Sequence, residues 1–522
     1  MSATFGTPAY GAHGVLATPH YLASLAGADV LRDGGSAVDA AIAANLVLAV
    51  VWPNMCGPGG DLFAQVFDDG ALFGLNASGR AGAAMTLEAY RARGLDAMPA
   101  RGPLSVTVPG AVSGWFALHE RWGRLDIARL ARDAMRHARD GFRVTSFVSE
   151  AVRTNLPLLG EHGMGAEVFA PGGRVPGAGD HVTQPELADS LELIATQGPS
   201  IMYGGILGQR IADFVAARGG LLTAHDLLAH RVEWVDPLRV SYRGVEVAQL
   251  PPNSQGVALL QMLRLLESDD VAAWPEAQRV HELVERKKRA FADRDAFVAD
   301  PAYGDVPIAR MLQAGSVHAT GSAAAAAHAA DGDTIYLCAA DRDGMVVSLI
   351  QSLYAAWGSG VHVPGTGITL HNRGWGFNLD AGHTNVLAPG KRPRHTLMPG
   401  FALKDGQPWL AFGTRGADGQ PQTGLQILTH LLDLRLDLQA AIEAPRWVQA
   451  PPGDRFARDA LVLESRFGSS VARDLSARGH DVVVSEPLDM IMGTVQLIQV
   501  DRERGCYIAA TDPRGDGVAL AV

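Results

Sequence analysis

Residues 332–341 read Gly-Asp-Thr-Ile-Tyr-Leu-Cys-Ala-Ala-Asp, and a second run of strand-forming residues follows at 345–350. Between the two runs stands Arg-Asp-Gly, and an Asp-Gly pair in that position predicts a tight β-hairpin. Such a turn pairs residues whose numbers sum to about 685–687. This register places Thr334 opposite residues 351 to 353, so that we expect Ser352 beside it.

Thr334 stands at a junction between two kinds of sequence. Residues 315–331 are rich in Ala, Gly and Ser, with five consecutive alanines at 323–327, and this composition predicts a flexible segment. Two interpretations follow. Thr334 is an ordinary β-branched residue that opens a strand, or the chain cleaves itself before Thr334 and the freed threonine attacks amides. The hairpin alone favours the ordinary interpretation.

Length and composition describe a globular, enzyme-like chain. It has 522 residues, 47% hydrophobic and 19% charged, with a formal net charge of −11, which argues against a nucleic-acid partner. The three cysteines are far apart and odd in number, which predicts a reducing, cytoplasmic location without a disulfide framework. The start of the chain lacks the pattern of a signal peptide. The apolar run 40–52 is too short to span a bilayer and predicts a buried helix, so we expect no membrane partner.

The apolar spacing elsewhere predicts further helices and strands, and several are specific enough to test. Predicted helices cover 20–33, 36–51, a segment from 108 to about 122, 127–141, most of 184–233, 286–297 and 422–434, and predicted strands cover 62–67, 71–75 and 409–412. Ser36 with Asp39 predicts a capping box at the start of the second helix.

Glycine-rich segments offer three possible binding elements. The cluster at 57–60 lies between a predicted helix and a predicted strand, which is the wrong order for a phosphate-binding loop and favours a tight connection. Arg80, in a polar glycine loop, fits a surface arginine and a carboxylate-binding arginine equally well. The turn 413–419 precedes a helix, where backbone N–H groups can hold an oxyanion; a plain strand–helix connection is the alternative.

Standard hydrolase and metal motifs are missing from the sequence. His119-Glu120 and His281-Glu282 lack the second histidine of H-E-x-x-H, and there is neither a Cys-x-x-Cys pair nor a G-x-S-x-G elbow. We therefore predict no metal and no cofactor.

Taken together, these segments resemble the γ-glutamyltransferase family of N-terminal-nucleophile (Ntn) hydrolases. The resemblance runs along nearly the whole chain, and it is specific because the motifs occur in the family's order and spacing. The segments that carry it are 34–41, 57–60, 108–110, 138–142, 391–393, 413–416 and 444–446. It implies an α+β fold, a four-layer αββα sandwich made as a precursor. Cleavage between Asp333 and Thr334 would leave a large segment 1–333, with its Ala-rich end at 315–333, intertwined with a small segment 334–522, and the resemblance leaves open a homodimer of such pairs.

The resemblance also assigns roles to residues. Thr334 falls on the family's nucleophile, Ser352 on its supporting hydroxyl, and Gly416 and Ala417 on the two residues whose N–H groups form the oxyanion hole. Alanine keeps its N–H, so that role survives at Ala417.

The expected substrate-binding residues depart from the family pattern. They fall on Arg373, Gly376, His395, Thr396 and Tyr354, so the acid that would pair with a substrate ammonium is missing at Gly376. The arginine that binds a substrate carboxylate falls near residue 78, which makes Arg80 the first candidate for that role, with Arg373 and Arg415 as reserves. In these features the chain is more similar to the family's acylase-like and oxamate amidohydrolase-like branch.

Three functional hypotheses follow. The first is a self-cleaving amidohydrolase that removes a small carboxylate-bearing acyl group, such as oxamyl or glutaryl, from a small-molecule amide, with transfer to an amine as a lesser route. The second is a true γ-glutamyl hydrolase or transpeptidase acting on glutathione. The third is an uncleaved, non-catalytic binding protein of the same fold. The order of helix, glycine cluster and strand speaks against a nucleotide-dependent enzyme.

Overall fold

The structure is a computed structural model that describes residues 5–313, 332–450, 455–457 and 459–522, with residues 332 and 333 as backbone only. Within these ranges the strands form two seven-stranded antiparallel sheets and three small ones. The Ala-rich end predicted at 315–333 lies outside the described residues as far as position 331.

The two large sheets draw their strands from distant parts of the chain. The first sheet contains, in spatial order, β21 (Val518–Ala521), β2 (Gly14–Thr18), β10 (Gly332–Asp341), β11 (Val346–Ala355), β3 (Asp61–Asp68), β4 (Ala71–Ala77) and β7 (Glu233–Val235). The second contains β1 (Ala9–Gly11), β20 (Cys506–Thr511), β19 (Val495–Asp501), β15 (Gln407–Thr414), β14 (Gly400–Lys404), β9 (Val245–Gln249) and β8 (Leu238–Tyr242). Two small sheets pair β5 (Phe142–Arg143) with β6 (His181–Val182) and β12 (His362–Val363) with β13 (Ile368–Thr369). In the third, β17 (Leu461–Glu464) lies between β16 (Trp447–Gln449) and β18 (Val482–Ser485).

The helices of the described residues are listed here in chain order. They are α1 (Tyr21–Arg32), α2 (Ala37–Val51), α3 (Leu87–Arg91), α4 (Ala111–Trp122), α5 (Ile127–Asp140), α6 (Ser146–Glu161), α7 (Gly165–Phe169), α8 (Pro185–Gln197), α9 (Ser200–Tyr203), α10 (Ile206–Ala217), α11 (Ala224–Leu228), α12 (Gly256–Leu265), α13 (Glu276–Phe297), α14 (Ile308–Met311), α15 (Gly419–Leu432), α16 (Leu438–Glu443) and α17 (Ser469–Ala477). Within the described part of the chain, no helix is both long enough and apolar enough to cross a bilayer.

The alternation of side chains along β10 shows how the layers stack. Ile335, Leu337 and Ala339 face a core shared with α1 and α2, whereas Tyr336 and Cys338 face the second sheet. Successive residues of a strand point to opposite faces, so this strand is covered on both sides. Helices α12, α13 and α15 in turn cover the outer face of the second sheet. The predicted four-layer αββα sandwich is confirmed.

Helix α2 is the buried helix that the apolar run predicted. All of its residues are buried, and the predicted capping box between Ser36 and Asp39 is present. Its one polar interior side chain, Asn45, donates to Gln351 Oε1 at 2.8 Å and accepts from Trp115 Nε1 at 2.6 Å. These bonds satisfy the amide in an apolar helix and anchor β11 next to Ser352.

The glycine cluster at 57–60 serves close backbone approach, as predicted. A Cβ on Gly59 would lie 2.1 Å from the carbonyl oxygen of Thr369, and one on Gly60 would lie 2.5 Å from that of Ser352. A side chain on Gly60 would push the loop away from β11, and one on Gly59 would push it away from β13. The cluster therefore positions the strand that carries Ser352.

Candidate active site

The hairpin predicted around residues 342–344 is present. Strand β10 pairs antiparallel with β11, with Ile335 opposite Gln351, and this register lies within the predicted range. The register shifts between Asp333 and Ile335, so Thr334 lies at an irregularity of the ladder. Bulges of this kind are frequent beside active sites because they re-aim a side chain.

The hydroxyl groups of Thr334 and Ser352 meet at this irregularity. Thr334 Oγ1 donates to Ser352 Oγ at 3.0 Å, and the backbone N–H of Tyr354 donates to the same oxygen at 2.7 Å. Thr334 is 1% exposed and Ser352 is fully buried. Two donors thus fix the Ser352 oxygen, which in turn holds the Thr334 hydroxyl in one orientation.

Arg373 lies against Tyr354, two residues beyond Ser352. Its guanidinium carbon is 3.9 Å from the centroid of the Tyr354 ring, a cation–π distance. Tyr354 adopts a positive φ of 81°, an uncommon conformation for a bulky residue that is found mainly at functional sites. This backbone conformation presents the ring to Arg373.

The donors of Arg373 are only partly used. Nη1 donates to Thr396 Oγ1 at 3.1 Å, and Nε is 3.8 Å from Asp61 Oδ2. Among the described residues, Nε and Nη2 have no hydrogen-bond partner although the side chain is fully buried. Burial lowers the pKa of Arg373 to about 10, so it stays positively charged at neutral pH. A buried cation with unused donors suits an anionic ligand.

The carboxylate of Asp61, near Arg373, contacts two histidines. Its Oδ2 is 3.0 Å from His395 Nε2 and 3.3 Å from His371 Nδ1, and its Oδ1 accepts from the N–H of Gly79 at 3.0 Å. Burial opposes ionisation, yet the charge and hydrogen bonds of His371 and His395 hold the pKa of Asp61 well below its usual range. Burial, followed by the charge of Arg373, lowers the pKa of His395 to about 3, so this imidazole is neutral and donates to Asp61.

The turn before α15 carries the two residues predicted to form an oxyanion hole. Gly416 has a φ of 117° and Ala417 a φ of 43°, and helix α15 begins two residues later, at Gly419. The positive end of a helix dipole favours negative charge nearby. The turn is thus suited to an oxyanion.

Gln255 links this turn to Thr396. Its Nε2 donates to the carbonyl oxygen of Thr396 at 2.9 Å and to that of Ala417 at 3.0 Å, and its Oε1 accepts from Arg294 Nη1 at 2.9 Å. Thr396 in turn accepts from Arg373. A continuous chain of contacts therefore runs from Tyr354 to the oxyanion turn.

We expect Gly416→Ala to lower kcat by about 100-fold, the order found when one oxyanion donor is lost. An L-residue is strained at this φ, so the turn would rearrange and move its N–H groups. Ala417→Gly keeps the N–H and relieves strain, and we expect it to retain activity. Gly468→Ala is the matched control, because Gly468 has a φ of 79° in open space. Equal kcat values for Gly416→Ala and the control would contradict the assignment.

Arg80, the first candidate for binding a substrate carboxylate, already contacts acidic side chains of the chain itself. Arg80 Nη2 lies 2.6 Å from Glu233, and Nη1 lies 3.2 Å from Asp300 and donates to the carbonyl oxygen of Gly390 at 2.9 Å. Two carboxylates thus offset the charge of Arg80, whereas Arg373 faces one carboxylate at 3.8 Å; the substrate role of each arginine stays a prediction. The half-buried Arg415 has its guanidinium carbon 5.7 Å from the Phe147 ring centroid, and its substrate role stays a prediction.

Three residues of this neighbourhood were missed by sequence reasoning. Asp61 contacts His395 and Arg373, His371 contacts Asp61, and Gln255 joins the two halves of the site. A charged residue directly after a glycine cluster, in an apolar strand, was a signal for Asp61. No local sequence pattern indicates a role for Gln255, because its hydrogen-bond partners lie far away in the sequence.

We expect Asp61→Asn to destabilise the chain by about 3 kcal/mol or more at neutral pH, because it breaks a buried charge cluster. The folded pKa of Asp61 lies below its ordinary value of 3.8, so the native carboxylate contributes stability above about pH 4 and loses it only as the pH falls further. The difference between the two chains should therefore persist from about pH 7 to pH 4 and shrink below. Urea unfolding in an uncleaved Thr334→Ala background measures it, with the exposed Asp96→Asn as control; a difference that vanishes near pH 6 would contradict the assignment.

The chain is similar to several known proteins over almost its entire length. The Gamma-glutamyltranspeptidase family profile matches residues 23–522. The chain is 41% identical to the glutathione hydrolase-like YwrD proenzyme of Bacillus subtilis, over 97% of this chain and 98% of that protein. It is 38% identical to the oxamate amidohydrolase proenzyme of Klebsiella pneumoniae, over 97% and 98%.

A solved structure shares the whole fold. The cephalosporin acylase from Bacillus halodurans superimposes with a TM-score of 0.91 and 35% identity, covering 100% of this chain and 98% of that one. Profile, relatives and fold agree along nearly the full length. The chain therefore belongs to the gamma-glutamyltranspeptidase family.

Proposed function

We propose that this chain cleaves itself between Asp333 and Thr334 and then hydrolyses amides whose acyl group bears a carboxylate. Its similarity to proenzymes named as hydrolases covers almost its entire length, and the chain is accordingly an Ntn amidohydrolase. The observation that carries the substrate class is the buried guanidinium of Arg373, of which two nitrogens have no hydrogen-bond partner among the described residues.

Self-cleavage uses the hydroxyl held by Ser352. Thr334 Oγ1 attacks the carbonyl carbon of Asp333, its proton passes to the departing nitrogen, and the C–N bond breaks to leave an ester. Water hydrolyses the ester, giving a carboxylate at the end of fragment 1–333 and a free α-amine on Thr334. The bulge supports this step because it takes Thr334 out of the regular ladder.

Catalysis then uses the same hydroxyl with the new amine as its base. An α-amine has an ordinary pKa of about 7.7–8.0, so a useful fraction is unprotonated at neutral pH. Thr334 Oγ1 attacks the substrate amide, and the N–H groups of Gly416 and Ala417 stabilise the oxyanion. The leaving amine takes the proton, and water resolves the acyl-enzyme. Transfer to another amine is the lesser route.

Arg373 is proposed to hold the carboxylate of the acyl group. A carboxylate can accept from both Nε and Nη2 in the forked geometry that arginine favours. The contact of Nη1 with Thr396 and the Tyr354 ring fix the orientation of the fork. His395 contributes indirectly, by holding Asp61.

A γ-glutamyl substrate, as in glutathione, is the second candidate, and the site speaks against it. Its α-ammonium needs an anionic partner. Gly376 offers no side chain, and the carboxylate of Asp61 is fully buried and engaged by His371, His395 and Gly79. Acyl groups without an α-amine, such as oxamyl or glutaryl, fit better.

Steady-state kinetics on oxamate, a glutaryl anilide and a γ-glutamyl anilide test this proposal. We expect kcat/KM to be higher for the first two than for the third, with the uncleaved Thr334→Ala chain as the inactive control. A clear preference for the γ-glutamyl anilide would contradict the substrate assignment and leave the amidohydrolase mechanism standing.

Two further parts of the proposal come from the sequence. A cytoplasmic location fits the three cysteines, none of which forms a disulfide, and a homodimer of fragment pairs fits the family resemblance. Fractionation of cells and light scattering of the purified protein test them separately.

A further inference from the structure

Three potential metal ligands meet on the far side of the second sheet. His281 and Glu285 lie on α13, and His480 follows α17. The Nδ1 of His281 is 2.8 Å from the Nε2 of His480, and one ligand atom from each of the three residues lies within 4.8 Å of the others. All three side chains are half-buried.

The helix explains two of these positions. Residues four apart on a helix lie on the same face, so His281 and Glu285 point together toward His480. Two imidazole nitrogens and one carboxylate oxygen form a donor set that zinc accepts, with a water molecule in the fourth position. Nitrogens bound to one tetrahedral zinc ion are about 3.3 Å apart, given bonds of about 2.0–2.1 Å, so the histidines need to separate only slightly.

The three side chains also make contacts that need no metal ion. The two histidines share a hydrogen bond, and Lys288 Nζ forms an ion pair with Glu285 Oε1 at 2.7 Å. A carboxylate has two oxygens, so Glu285 can contact Lys288 and still offer an oxygen to a cation. Lys288 nevertheless opposes a second positive charge nearby. Removing the charge of Lys288 should therefore strengthen the binding of a cation.

We propose that His281, Glu285 and His480 form a Zn²⁺ site that fastens α13 to the segment after α17. The site lies outside the catalytic neighbourhood and takes no part in the proposed reaction. Its ligands come from both sides of the proposed cleavage point, so bound zinc joins the fragment 1–333 to the fragment 334–522. Zinc then stabilises the folded state by mass action.

The test is calorimetric titration of metal-stripped full-length protein with Zn²⁺ alone, in the natural chain and in the Thr334→Ala chain. We expect one equivalent to bind in both and to raise the thermal midpoint. Since the second chain cannot cleave, failure of the proposed function leaves this result unaffected.

Variants make the assignment specific. We expect His281→Ala and His480→Ala to raise the Kd for Zn²⁺ by about tenfold or more. Replacing residues that merely hydrogen-bond to metal ligands already causes losses of this order. Glu285→Gln should weaken binding while keeping the side-chain size, and Lys288→Ala should tighten it. His13→Ala, at an exposed histidine elsewhere, should leave the Kd unchanged.

Co²⁺ is a second probe, and its absorption gives a readout that does not depend on the thermal midpoint. Co²⁺ bound by the three side chains should show a visible absorption band, which Glu285→Gln alters and His13→Ala does not. The proposal is overturned if neither ion binds, or if zinc binds equally well to the natural chain, His480→Ala and Glu285→Gln.

Discussion

Replacing Thr334 by alanine should leave a single chain of 55.0 kDa, whereas we expect the natural protein as two fragments, 1–333 and 334–522. The variant lacks the hydroxyl that donates to Ser352 Oγ at 3.0 Å, and without it the Asp333 carbonyl is not attacked. Amidase activity should fall by about 10⁴-fold or more, the order found when a nucleophile is removed. Intact-mass measurement under denaturing conditions, followed by kinetics, checks both effects.

Serine variants separate the nucleophile from its support. Thr334→Ser keeps the hydroxyl, so cleavage should continue. Ser352→Ala removes the acceptor that orients it, and we expect cleavage about tenfold slower, the value of one hydrogen bond. Ser348→Ala is the matched control, since Ser348 lies on the same strand, is buried and contacts Tyr336 Oη at 2.9 Å. A natural chain that shows only the full-length mass would instead support the uncleaved binding protein.

Replacing Arg373 by methionine should lower kcat/KM for a carboxylate-bearing amide by about 100-fold, because truncating one partner of a buried charge pair costs about 2–5 kcal/mol. An amide with an uncharged acyl group should lose far less. Arg373→Lys keeps the charge without the planar fork, so we expect an intermediate loss. The measurement is the ratio of kcat/KM for glutaryl and butyryl anilides, after mass analysis confirms cleavage.

Arg80→Met is the control for this experiment. Arg80 bridges Glu233 and Asp300, so its loss should lower the thermal midpoint and leave the ratio of the two substrates unchanged. If the ratio changed in Arg80→Met and stayed constant in Arg373→Met, the earlier assignment of Arg80 would be right.

The parts of the fold that depend on local sequence could be predicted. The Asp-Gly turn set the hairpin register, and the glycine cluster was recognised as a tight connection. Helix starts were less certain: a helix was expected at 286–297, but α13 begins at Glu276, directly after Pro275. Charged residues dominate its first turns and hide the apolar positions, such as Val280 and Leu283, that pack inward.

Within the candidate site, the contact that could be predicted from local sequence is the one between Thr334 and Ser352. Thr334 and Ser352 were placed correctly beside each other, because one hairpin joins them. The acidic partners of Arg80, in contrast, lie 153 and 220 positions away in the sequence. No local sequence pattern predicts these contacts. Asp61 and Gln255 were missed for the same reason, since their contacts are created by packing between distant segments.

The interleaving of strands has a consequence for folding once the chain is cleaved as proposed. In the described residues, β2 of fragment 1–333 lies between β21 and β10, which belong to fragment 334–522 except for residues 332 and 333 of β10. Strand β9 pairs with β14 across the same division. Neither fragment can complete a sheet alone. The precursor refolds as one molecule, at a rate independent of concentration, whereas the mature protein must recombine two partners and is exposed to aggregation meanwhile. After maturation, the stability of the protein would thus be kinetic. Its half-life in the folded state would be set by the rate at which the interleaved sheets separate, and no longer by a reversible equilibrium between folded and unfolded chain.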